Sequence, residues 1–161
     1  MNSNVKVVGV VIVASATALA SSLMLWPSPP GFAPPPSLLP FFAGLGIVEA
    51  VAFGLGVAFL LFGYRLVQQT EVGPLAAWGG YFGIAWSLVN WWAHDGFHRV
   101  TGLNYNGLIR IEYGFHITLI VGAALTAYFF LSVARVANRS SRPALNEQRV
   151  ETGLPAPRLS S

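Results

Sequence analysis

Four apolar stretches, each about as long as a bilayer's hydrocarbon core is thick, limit what this chain can fold into. They cover about residues 7–26, 38–64, 74–98 and 107–134, and a helix needs roughly 20 residues to cross that core. Backbone N–H and C=O groups cannot be left unpaired in lipid, so each stretch is expected to be a helix. The expected fold is an all-α membrane protein: a four-transmembrane-helix bundle within residues 1–134, followed by a disordered tail over 135–161. Composition agrees. Apolar residues make up 54 % of the chain and charged residues 9 %, against roughly 25 % charged in soluble domains. So few charges cannot cover a surface that faces water.

Local punctuation supports these boundaries. Pro40 and Pro74 stand near the starts of the second and third stretches, where a missing N–H costs nothing. Asn106 is placed to cap the fourth. Residues 27–37 form a proline-rich link expected to be extended and stiff. Residues 99–106, with Gly102, Asn104 and Asn106, predict a tight interhelical turn. Beyond Arg135 the chain is polar and rich in Ser, Pro and Arg, which predicts disorder. The first stretch has one feature of a signal peptide, Ala18-Leu19-Ala20 after Lys6. Its apolar run nevertheless continues through Trp26, which favours an uncleaved span.

The basic residues set an orientation. With four spans, Lys6, Arg65, Arg135, Arg139, Arg142, Arg149 and Arg158 fall on one side, and Arg99 and Arg110 on the other. Positive charge marks the cytoplasmic face, so a multi-pass protein of the cell membrane with both termini cytoplasmic is expected. The formal charge of +3 is spread over segment ends and the tail, not gathered into a phosphate-binding stripe, so nucleic acid is not an expected partner. The expected surroundings are the lipid bilayer. Gly46, Ala50 and Gly54, and Gly79, Gly80 and Gly83, allow close helix approach. They predict packing within the chain, with docking of other membrane subunits as the alternative.

The polar residues inside the apolar stretches carry the functional expectation. Ser87, Asn90, Trp91, His94, Asp95 and His98 recur at helical spacing and share one face of the third span. Glu112 and His116 share one face of the fourth. A hairpin centred on the connecting turn brings level those positions whose numbers sum to about 207. The three histidines of the chain then meet Asp95 and Glu112 in one neighbourhood. Glu49 lies in the second span between Ile47-Val48 and Ala50-Val51. At equal depth with His116, it is expected to pair with that imidazole, since an unpaired carboxylate in lipid is costly.

With no cysteine in the chain, iron–sulfur clusters and thiolate sites are excluded. The expected donor set for a metal is His94, His98, His116, Asp95, Glu112 and Glu49. These histidines and carboxylates suit iron, manganese, zinc or copper. Haem b between His94 and His116 ranks below a metal ion, because carboxylates crowd the same cluster. The function expected is a metal site in a membrane oxidoreductase or in a component of one. A non-catalytic accessory subunit, or a metal-free ligand or proton-relay pocket, are the alternatives.

Overall fold

The structure is a computed structural model that describes residues 3–25, 35–101 and 106–151, the stretch 140–151 as backbone alone. Among the described residues there are helices and no strands. Helix α1 spans Ser3–Leu25, and a single 3-10 turn, Pro36–Leu38, leads into α2, Leu39–Phe62. A short α3, Tyr64–Gln68, precedes α4, Pro74–Thr101, and the chain closes with α5, Ile109–Glu151. Pro40 and Pro74 stand in the first turns of α2 and α4 as expected. Residues 27–34 of the proline-rich link, and Gly102 and Asn104 of the last turn, lie outside the described residues.

Two boundaries differ from expectation. Helix α5 begins at Ile109, two residues later than expected: Gly107 has φ 75°, and the Leu108 carbonyl accepts the first bonds, from the Ile111 and Glu112 amides. The fourth apolar helix also continues past residue 134 to Glu151. No glycine falls between Gly122 and Gly153, and this segment's Arg, Ala, Leu, Glu and Gln are good helix formers. The helix therefore runs on through Pro143 where disorder was expected. The remainder of the tail, 152–161, lies outside the described residues.

Among the described residues, three helical segments are long and apolar enough to cross a membrane: Asn4–Ser22, Pro36–Phe62 and Ile109–Arg139. Helix α4, at 28 residues, has the length but is diluted by Asn90, His94, Asp95, His98 and Arg99.

The helices do not close into the expected bundle. They form an open row: α1 packs mainly on α2, α2 on α4, and α4 on α5, while α5 touches neither α1 nor α2 among the described residues. Small residues set the spacing. Gly54 of α2 lies against Val11 and Ser15 of α1, and Gly56 against Leu88 and Val89 of α4. Gly80 and Gly83 of α4 lie against Phe129, Gly122 and Thr126 of α5. The glycine-rich faces are thus largely used inside the chain. Phe59, Tyr64, Trp78 and Tyr81 close one end of the α2–α4 seam, where the Tyr81 hydroxyl donates to the Leu60 carbonyl. The polar residues gather at the other end.

Candidate metal centre

Helix α4 is the middle of the polar end, and its two seams hold two separate groups. Toward α5 it presents Gly83, Ser87, Asn90, His94 and His98, at intervals of three or four residues, hence on one stripe. Toward α2 it presents Val89, Trp92, Asp95 and Arg99. The hairpin registry is close to expectation. Gly79 faces Leu125, Gly83 faces Gly122 and His94 faces Glu112, pairs whose numbers sum to 204, 205 and 206.

On the α5 side, three imidazoles surround one carboxylate. Glu112 is 7 % exposed. Its Oε1 lies 3.3 Å from His98 Nε2 and 3.1 Å from His116 Nδ1, and its Oε2 lies 3.6 Å from His94 Nε2. His94 Nε2 and His98 Nε2 face each other at 3.0 Å. Ligand atoms bound at about 2.0–2.2 Å to one ion stand roughly 3–3.6 Å apart at tetrahedral or octahedral angles. The donor atoms of His94, His98 and Glu112 all lie within 4.8 Å of one another. One further fact fits a shared cation. Glu112 Oε2 is buried without a hydrogen-bond partner among the described residues, and its 3.6 Å to His94 is too long for a hydrogen bond. The 3.0 Å His94–His98 contact is filled either by one ring's N–H donating to the other or by a metal bound to both nitrogens.

His116 sits at the rim. Its side chain is 52 % exposed, and its Nδ1 also lies 3.0 Å from the Glu112 carbonyl oxygen. It is a fourth donor beside the trio, or the group that orients Glu112. Phe115 packs against His94 and Phe97, with ring centroids at 5.4 and 5.7 Å, and backs the site with apolar surface.

On the α2 side, Glu49 is 1 % exposed and accepts a hydrogen bond from Arg99 Nη2 at 3.0 Å, with Asp95 beside it. The expected Glu49–His116 contact is therefore replaced. Helix α4 stands between α2 and α5, so Glu49 cannot reach across. The two also differ in depth, since Glu49 is level with Asp95 of α4 whereas His116 lies more than a turn deeper, level with about Asn90. The expected donor set divides in the same way: His94, His98, His116 and Glu112 converge, whereas Glu49 and Asp95 belong with Arg99 on the far side of α4. Sequence reasoning missed Arg99 as the partner of Glu49. The signal was available, since a carboxylate within an apolar span requires a cation at its own depth.

No protein-family model, characterised protein or solved structure matches this chain.

Proposed function

We propose that this is a four-span membrane protein holding one transition-metal ion at His94, His98 and Glu112, within an oxidoreductase or a component of one. The observation that carries the reading is the convergence of two imidazole Nε2 atoms and one carboxylate, from two helices, at the spacing of ligands around one ion. Two histidines and one carboxylate on a single face, with the remaining positions open, suit iron(II). Zinc uses the same donors in hydrolases, but there a carboxylate base stands beside the metal. Asp95, the acid within the His-Asp-x-x-His run, lies instead beside Glu49, so redox chemistry fits better than hydrolysis. Haem fits poorly. The His94 and His116 rings stand edge to face with centroids 4.8 Å apart, beside the Glu112 carboxylate, and leave no slot for a macrocycle.

The four-span reading rests on packing. Helix α4 runs antiparallel to both α2 and α5 and packs on both, so it occupies their depth. Its polar residues turn toward those neighbours and away from lipid, which offsets its lower hydropathy. Both termini are then cytoplasmic and the metal lies near the outer surface. Because the chain has no cysteine, single cysteines placed at Ser3 and Asn106 test this. A membrane-impermeant maleimide added to intact cells should label only the second.

The metal is tested by elemental analysis of protein purified in mild detergent after anaerobic loading with iron(II). About one ion per chain is expected, lost in the triple variant His94→Ala, His98→Ala, Glu112→Ala. Background metal in the unaltered protein, or equal retention by the triple variant, removes the reading.

A further inference from the structure

One polar side chain on the α5-facing stripe of α4 is left unused by the metal reading. Asn90 is 0 % exposed, and neither its Oδ1 nor its Nδ2 has a hydrogen-bond partner among the described residues. Burying a primary amide with neither end paired is costly. In a membrane helix such a group marks function by default. Its place is specific: one turn from His94 on the same face, on the side of the bilayer midplane. Side chains on a helix all lean toward its N-terminus, so Asn90 and His94 keep their spacing of about one turn, roughly 6 Å along the axis.

Resting on the metal reading above, we infer that Asn90 hydrogen-bonds the exogenous ligand of the metal, and that this ligand is a two- or three-atom molecule with an acceptor at its free end. The size follows from the helix. Four residues advance about 6 Å, of which a metal–ligand bond takes about 2 Å. The apolar ring of Phe115 beside His94 restricts the space further. The amide supplies an N–H to the far atom of such a ligand without adding charge beside Glu112. Dioxygen belongs to this size class. The route fits it as well: among the described residues α5 packs on α4 alone, so their seam borders the hydrocarbon, where an apolar gas partitions. Asn90 is thus a substrate-positioning residue, distinct from the metal's own ligands.

The probe is azide, titrated into cobalt(II)-loaded protein and followed by the visible cobalt bands. Asn90→Leu should keep one cobalt per chain, weaken azide binding roughly ten-fold or more, and shift the bands of the azide complex. Asn90→Asp should also weaken azide with cobalt retained, and it decides the matter if the leucine variant does not accumulate. Thr126→Val, which alters another unpartnered buried group on the same seam, should leave azide affinity unchanged. Unchanged azide affinity in both Asn90 variants overturns the inference while leaving the metal site standing. Loss of cobalt in both also overturns it, by making Asn90 part of the scaffold. Failure of the unaltered protein to bind cobalt removes the metal reading itself.

Discussion

Substituting Arg99 isolates the ion pair that ties α2 to α4. Arg99→Met keeps most of the aliphatic stem and removes the guanidinium, leaving Glu49, 1 % exposed, without the donor now at 3.0 Å. Breaking a fully buried pair from one side costs about 3–5 kcal/mol. Here the Arg99 side chain is 31 % exposed, so water can enter part of the vacated volume, and the cost is reduced to about 2–3 kcal/mol. Two features keep it from falling further: Glu49 Oε1 already has no partner among the described residues, and Asp95 lies alongside. Glu49→Gln should cost less, about 1 kcal/mol, because Arg99 can turn toward the interface. The double variant should recover most of the loss, giving a coupling of about 1.5 kcal/mol or more. Unfolding by added SDS in mixed micelles, followed through tryptophan fluorescence, measures all four proteins. An Arg99→Met cost within about 0.5 kcal/mol of zero, or a double variant no more stable than that single one, refutes the reasoning. Metal content should stay unchanged throughout, because this group lies on the other side of α4 from the histidines.

Other perturbations act on the α4–α5 seam. At Gly83, an added Cβ would stand 2.7 Å from the Gly122 carbonyl oxygen, so Gly83→Val should push the helices apart. It should cost about 1–3 kcal/mol and, because the metal site bridges the same seam, weaken metal binding in an equilibrium competition with a chelator. His116, 52 % exposed and held at the rim, should matter less than the trio. His116→Ala should weaken metal about ten- to a hundred-fold, the range for groups that orient ligands, whereas His98→Ala should weaken it more; equal losses in the same competition assay would make His116 a full ligand.

Much of this architecture was legible in the sequence because lipid leaves few options. Apolar length set the helices, Pro40 and Pro74 marked two starts, and the short hairpin set a registry that Gly83–Gly122 and His94–Glu112 follow closely. Periodicity gave the local face of each helix but neither which helices are neighbours nor the depth of Glu49 against α5. Glu49 and His116 differ in depth by more than a turn, and the order of the row, with α4 interposed, decides that Glu49 meets Arg99. Asp95 parts from the histidines for a related reason. Adjacent residues on a helix point about 100° apart, enough to send His94 to α5 and Asp95 to α2. Helix α5 outran its expected end because polar composition resembles disorder even where helix propensity is high.

X-ray absorption at the metal edge of the loaded protein bears most directly on the shared ion. The first shell should hold nitrogen and oxygen only, at about 2.0–2.2 Å, with outer-shell scattering from at least two imidazoles that disappears in His94→Ala, His98→Ala protein. A first shell without imidazole scattering, or one unchanged by the double substitution, would contradict it.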